Sequence, residues 1–237
     1  MSAPVFLADD LSADRIVLSG PEGRHAATVR RLRAGEAVDL CDGRGGRASC
    51  LVATVGRDEV ALDVQARTTE PAPVPRLVLV QALAKGDRGE LAVELATEVG
   101  VDEVVPWAAA RSVVRWEGAR GDRALERWRA TAREAGKQSR RAWLPVVAPL
   151  HRTAQVAQRL RAAHGLVLHE AAPAALTAVP LPASGEIVLV VGPEGGIGDD
   201  ELAALGGTAV RLGPSVLRTS TAGAAAAAVL SARTGRW

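Results

Sequence analysis

Two turns rich in glycine and proline near the C-terminus constrain the fold of this chain more than any other feature. Val190-Val191-Gly192-Pro193-Glu194-Gly195-Gly196-Ile197-Gly198 follows an apolar run at 187–191. Leu212-Gly213-Pro214-Ser215-Val216-Leu217-Arg218-Thr219-Ser220-Thr221-Ala222 follows another at 209–212. Each run reads as a buried strand, and each turn leads into a helical stretch. Glycine lets backbone take positive φ and approach a ligand closely, and proline fixes the chain in a turn. Two successive strand–turn–helix units imply a parallel sheet. Turns at the carboxyl ends of neighbouring strands open a crevice, which is where open α/β sheets bind ligands.

The turns match neither common nucleotide fingerprint. Glu201 stands where the last glycine of the dinucleotide motif would be, and no Gly-Lys-Ser/Thr follows to make a phosphate-binding loop. Glu194 is the only charged side chain in the first turn, which favours a ligand with hydroxyl, amine or cationic groups over a bare triphosphate. Spacing alone is equally compatible with two ordinary βα turns.

A second pattern precedes the first. Short apolar runs at 16–18, 37–40, 48–55 and 59–64 are separated by Gly-rich turns, and one amphipathic segment lies at 25–32. Short strands at that spacing predict a small β-barrel. Thr68-Thr69-Glu70-Pro71-Ala72-Pro73-Val74-Pro75 then denies both helix and ladder pairing and reads as a stiff linker. Domains are therefore expected at 1–70 and 76–237, joined by 68–75. After the linker the pattern alternates. Strands are expected at 76–83, 103–106, 144–147 and 166–168, and helices at 90–99, 122–139 and 153–164. A last helix is expected at 222–233. This order predicts a parallel sheet covered on both faces.

Composition narrows the chemistry. Nearly half of the 237 residues are apolar, mostly Ala and Val, and there is no Tyr, which excludes a phenolic acid or base. Cys41 and Cys50, nine residues apart without a neighbouring His, form neither a zinc motif nor a disulfide framework. They read as buried thiols, and no metal is expected. The start, Met1-Ser2-Ala3-Pro4, lacks a basic region followed by an apolar stretch, so no signal peptide is expected. No apolar run is long enough for a membrane span, and a soluble cytoplasmic protein is expected.

The formal charge is only +2, but it is unevenly spread. Between Arg111 and Arg141 ten basic residues face four acids, a local +6. A smaller cluster comprises Arg24, His25, Arg30, Arg31 and Arg33. Arginine grips phosphate bidentately and stacks on bases, so both clusters are candidate RNA contacts, Arg111 and Arg140 among them. A solvated helix face laced by pairs such as Glu126 with Arg129 is the plainer reading of the longer stretch.

Taken together, these residues resemble the ribosomal RNA small subunit methyltransferase E family of the SPOUT class. The resemblance runs nearly end to end. It includes His25 with Val29-Arg30-Arg31-Leu32-Arg33, Asp42-Gly43, Lys85-Gly86-Asp87-Arg88, Ala96-Thr97-Glu98-Val99-Gly100-Val101, Pro106, Arg111-Ser112-Val113-Val114 and Arg127-Trp128. Glu134-Ala135 with Gln138-Ser139, and Pro145, also fit. The most specific matches are Leu168-His169-Glu170, Gly192-Pro193-Glu194-Gly195-Gly196, and Leu212-Gly213 through Leu217-Arg218-Thr219. Two departures stand out. Ser220 replaces the acid of the usual Leu-Arg-Thr-Glu-Thr-Ala, and Leu95 stands where Lys is common.

The resemblance implies an N-terminal PUA-like β-barrel that binds RNA. It implies a C-terminal α/β domain with a parallel sheet and a trefoil knot, which dimerises. The implied reaction is methylation of a uridine N3 in 16S rRNA of the small ribosomal subunit, with S-adenosylmethionine as donor. Leu168, His169, Glu170, Gly192, Pro193, Glu194, Gly195, Gly196, Leu212, Gly213, Val216, Leu217 and Thr219 are the expected cofactor contacts. Arg218 is expected to stabilise charge on the uracil, and it cannot be the base because it stays protonated. Glu194, His169 or solvent hydroxide is left as the base. The alternative role for Glu194 is a capping acid for the helix near Asp199, and residues 219–221 could cap the last helix. Other readings are methylation of another base or a ribose hydroxyl, a non-catalytic RNA-binding assembly factor, and a nucleotide-binding regulatory domain.

Overall fold

The computed structural model describes residues 3–237; Met1 and Ser2, where the signal-peptide expectation begins, lie outside the described residues. The chain divides into two compact units. One holds the residues up to Ala72 together with Lys137–Leu144, and the other holds Pro73–Gly136 and Pro145–Trp237.

The first unit is a curled five-stranded sheet built from β1 (Val5–Leu7), β2 (Arg15–Leu18), β3 (Ala37–Cys41), β4 (Gly46–Val55) and β5 (Val60–Thr69). Their order is β1-β3-β4-β5-β2, with β1 parallel to β3 and the other pairs antiparallel. Register shifts at Ser49/Cys50 and Val52/Thr54 mark bulges that bend β4. Alternate residues Ala48, Cys50 and Val52 point inward to meet Phe6, Leu40 and Leu62. Both cysteines are buried and free; burial pushes the Cys50 thiol up to about 11.

The amphipathic segment at 25–32 is helical over His25–Val29, and the helix begins earlier. A short helix, α1 (Gly20–Arg24), has Pro21 in its first turn, where a missing N–H costs nothing, and continues as one wide π-helical turn over His25–Val29.

Lys137–Leu144 completes this unit, which the expected division at the linker did not anticipate. The Lys137 ammonium pairs with Glu22 at 2.9 Å, both nearly buried. The Gly45 amide donates to Ala142 O, and the Trp143 indole N–H donates to Glu70 O. Gly45 has φ +100, and a Cβ there would lie 2.8 Å from the Trp143 ring, so only glycine fits.

The second unit is a sheet flanked by helices. Its strands are β6 (Arg76–Ala82), β7 (Glu103–Ala108), β8 (Val146–Val147), β9 (His151–Arg152), β10 (His164–Leu168), β11 (Ala174–Ala175), β12 (Glu186–Val191) and β13 (Thr208–Arg211). The order is β11-β13-β10-β12-β6-β7-β8, all parallel, with β9 beside β7. β6 and β12 are buried on both faces, as near-continuous Val/Leu/Ile runs require. Leu77 and Leu79 of β6 face one core and Val78 and Val80 the other.

The helices are α2 (Arg88–Glu98), α3 (Gly118–Gln138), α4 (Thr153–Ala162), α5 (Asp199–Leu205) and α6 (Thr219–Arg233). α2 and α6 contribute Val93, Ala96, Ala226 and Leu230 to the first core; α4 and α5 contribute Val156, Leu160 and Leu205 to the second. α6 lies so close to β6 that a Cβ on Gly223 would sit 2.9 Å from Leu79. At the amino ends of the strands, Arg159 and Arg76 bridge Glu103 and Glu186 at 2.5–3.1 Å. No described helix is long and apolar enough to cross a membrane.

Candidate active site

The site is built by turns at the carboxyl ends of three adjacent strands. β10 lies between β13 and β12, so the 192–198 and 212–218 turns are not on neighbouring strands, as their sequence order suggested. The turn after β10, residues 168–170, lies between them. A cleft of about 770 Å³ opens there, within the range that takes a small-molecule cofactor. All thirteen residues expected to hold the cofactor, from Leu168 to Thr219, line it together with Arg218.

The fit to an adenosyl ligand with an apolar body and polar rim is good. Val216 is 75% exposed and Leu217 41%, so two branched apolar side chains stand at the cleft with no protein packing over them. A Cβ on Gly213 would meet nothing within 4 Å, and Gly196 turns at φ +70.

Thr219 does not cap α6. Arg218 occupies the N-cap position without a side-chain bond, and the Thr219 hydroxyl points elsewhere. It donates to Gly192 O at 2.8 Å and accepts from Gln81 Nε2 at 2.9 Å. Gln81 is fully buried in β6. This relay ties the central strand, the first glycine of the 192–198 turn and the start of α6 together. Ser220 is 3% exposed and lies outside the cleft lining, so the missing acid at 220 removes no group from the cleft wall.

Glu194 does not cap α5 either; Asp199, Asp200 and Glu201 fill that first turn. Its carboxylate accepts from the Lys85 amide and pairs with Arg88, both at 3.2 Å. Burial alone would raise its pKa. The backbone amides of Glu194 and Lys85 and the Arg88 guanidinium outweigh burial and hold the carboxyl below its ordinary value. A carboxylate held in this way is a weak proton acceptor and a good clamp. His169 Nδ1 accepts the Ala171 N–H at 3.3 Å. Among the described residues, the Arg218 guanidinium has no hydrogen bond or ion pair, and it is exposed at the cleft.

Of the residues expected at RNA, Arg111 and Arg140 are the most engaged within the protein. Arg111 lines the cleft instead: it donates to Gly195 O at 3.2 Å and packs under Gly195 and Gly198. Glu201 sets this contact by accepting from the Ala110 amide at 2.9 Å and the Thr153 hydroxyl at 2.8 Å. Arg140 binds Ala3 O and lies 3.8 Å from Asp39, inside the first unit. Arg30, Arg31 and Arg33 are exposed along one turn, where Arg31 takes φ +53; Arg24, at the end of α1, is exposed and lies 3.6 Å from Asp58, and His25 packs edge-on against Phe6. Arg88 and Arg211 also line the cleft; Arg88 was legible only as part of Lys85-Gly86-Asp87-Arg88, with no role attached. Among the described residues no His, Cys, Asp and Glu cluster could hold a metal ion.

A curled N-terminal sheet followed by a parallel α/β unit with a cleft built from glycine turns defines an RNA methyltransferase with a PUA domain. Residues 70–231 match the RNA methyltransferase domain family and residues 18–65 the RNA methyltransferase PUA domain. The chain is 48% identical over 247 residues to Ribosomal RNA small subunit methyltransferase E of Mycobacterium bovis, covering 100% of this chain and 94% of that one. It is 31% identical to the protein of that name from Bacillus subtilis, covering 92% and 90%. Among solved structures it resembles the Neisseria gonorrhoeae methyltransferase E bound to S-adenosyl methionine, with a TM-score of 0.87, 26% identity and 98% of each chain covered. A Legionella pneumophila methyltransferase with bound SAM gives 0.89 at 25% identity, again over 98% of each chain. The chain belongs to the ribosomal RNA small subunit methyltransferase E family.

Proposed function

We propose that this chain transfers a methyl group from S-adenosylmethionine to N3 of a uridine in 16S rRNA of the small ribosomal subunit. It acts as a cytoplasmic homodimer, with the C-terminal unit knotted as the family resemblance implies. The observation that carries this reading is the convergence of three turns, two of them rich in glycine, on one cleft, with an unpaired arginine at the start of α6 beside it.

When bound, the cofactor supplies an electrophilic methyl group on a sulfonium sulfur. The 168–170, 192–196 and 212–217 turns would hold it, with Val216 and Leu217 against its apolar surface. Arg218 stays protonated and stabilises negative charge gathering on the uracil oxygens as N3 loses its proton. Glu194 holds the 192–196 turn against the start of α2. With Glu194 engaged and the His169 Nδ1 occupied, neither is arranged as a base, and the N3 proton passes to solvent at the open mouth. Arg24, Arg30, Arg31 and Arg33 are the proposed phosphate contacts of the first unit.

Mass spectrometry of 16S rRNA from cells with and without the gene tests the product; N3-methyluridine present equally in both ends the proposal. A ribose methyl or a methyl on another base in the same digest would select another substrate for the same cleft. Arg218→Ala is expected to lower methyl transfer by at least ~100-fold, in line with loss of one charge-stabilising donor. Calorimetric binding of S-adenosylmethionine should change little. Normal turnover in that variant removes Arg218 from the chemistry.

A further inference from the structure

A second pocket of about 140 Å³ lies beside the cleft. Its walls are the indoles of Trp116 and Trp128, backed by Leu83 and Val114, and Glu90 and Arg127 form its polar edge. The two indoles stand edge to face, with centroids 5.0 Å apart at 81°. Trp128 is 2% exposed and fixed in the core, whereas Trp116 is only partly buried. Gly89 lets α2 approach the wall; a Cβ there would sit 2.9 Å from Trp128 Cζ2. Glu90 and Arg127 pair at 3.1 Å and both keep solvent access, with side chains 28% and 62% exposed.

The pocket offers aromatic surface, an acceptor and a donor within the space of one flat heterocycle. It adjoins the cleft through a single turn: Arg88 lines the cleft, while Gly86 and Gly89 line the pocket. Its outer margin is cationic. Helical spacing places Arg120 and Arg123 within one turn of Ala124 and Arg127. Both are exposed, and neither has an ion pair among the described residues. Aromatic walls, a polar edge and unpaired arginines are the chemistry that holds unpaired nucleotides.

We propose that this pocket is a second RNA subsite, binding one unstacked base close to the nucleotide that is methylated. The inference rests on the reading that RNA enters the adjoining cleft. Glu90 accepts from an N–H of the base and Arg127 donates to its carbonyl, so a base carrying both groups on one edge, uracil or guanine, is preferred.

The decisive variant is Glu90→Gln, read by anisotropy with a single-stranded oligoribonucleotide that spans the target uridine. Removing an acid from a basic surface strengthens RNA binding through bulk electrostatics. Exchanging a charged base-edge acceptor for a neutral one weakens the hydrogen bond, and a loss of about threefold is expected. Trp116→Leu keeps apolar volume and should raise the dissociation constant ~10-fold, as expected for loss of one stacked base, while Trp116→Phe stays near wild type. S-adenosylmethionine affinity should be unchanged in all three.

Equal or tighter RNA binding by Glu90→Gln overturns the proposal. So does a parallel loss of cofactor affinity in Trp116→Leu, which would make the indole structural. Should Trp116→Leu not fold, the partly exposed Glu90 position still decides. Glu90-dependent binding of the oligonucleotide alongside 16S rRNA whose N3-methyluridine does not depend on the gene refutes the proposed reaction and leaves the subsite standing.

Discussion

At Thr219 one hydroxyl couples three chain segments that lie far apart in sequence, through Gln81 and Gly192. Nothing local announces this. A threonine at the start of a helix reads as a cap, and only the tertiary placement of β6 beneath α6 redirects it. The glycine and proline turns, by contrast, were legible because their backbone demands are local. Glu194 lies between these cases: its position in the cleft was readable, but its partners Arg88 and Lys85 were not.

The Glu194 carboxyl sits below its ordinary value of 4.5. A lowered carboxyl keeps its charge at neutral pH and loses it only as the pH falls through the depressed value. Cofactor affinity should therefore hold from neutrality down to about pH 4.5 and decline below it, and calorimetry across that range checks this. Glu194→Gln should remove that acid limb. It should weaken binding at pH 7 by no more than about fivefold, because the pair is part-exposed and such pairs contribute at most ~1 kcal/mol. A hundredfold loss of kcat in Glu194→Gln would instead restore it as the base.

Among elements, the long periodic ones were the most readable. β6, β12, α2 and α6 fall close to their expected positions because burial on one or both faces leaves a strong pattern. Of the two-residue strands, β8 falls inside the strand expected at 144–147, whereas β9 and β11 carry no period and exist only because β7 and β13 offer them ladder partners. The Glu103–Arg159–Glu186–Arg76 network was equally invisible, since its four members come from four elements. Burial raises the Glu103 pKa, but hydrogen bonds and charge from Arg159, then Arg76, hold it below the ordinary value. The stabilisation is thus complete at neutral pH and lost as acid protonates Glu103. Glu103→Ala would leave Arg159 and Arg76 short of a partner next to the sheet core. It should cost about 3 kcal/mol, the lower end for breaking a buried pair, measured by urea unfolding. A loss under 1 kcal/mol would show the network is solvated.

For the whole molecule, the linker was readable but the composition of the first unit was not. Proline clustering marks where pairing stops, and the unit boundary falls between Ala72 and Pro73. The return of Lys137–Leu144 leaves no local trace, because its contacts to Glu22, Gly45 and Glu70 each span some seventy residues or more. A fragment ending at Ala72 would leave the nearly buried Glu22 carboxylate without Lys137 and the Gly45 amide without its acceptor. Buried polar groups without partners cost ~1–3 kcal/mol each, so this fragment should melt well below the full chain or bind hydrophobic dye, as circular dichroism and fluorescence would show. A fragment with full-length stability would mean the returning segment is dispensable.

That return also sets an order of events during synthesis. The barrel's own strands are all translated by Thr69, yet its last pieces emerge only after residues 73–136 of the catalytic unit have been made. A nascent chain must therefore keep the barrel unfinished, and its basic turn waiting, until Leu144 has left the exit tunnel.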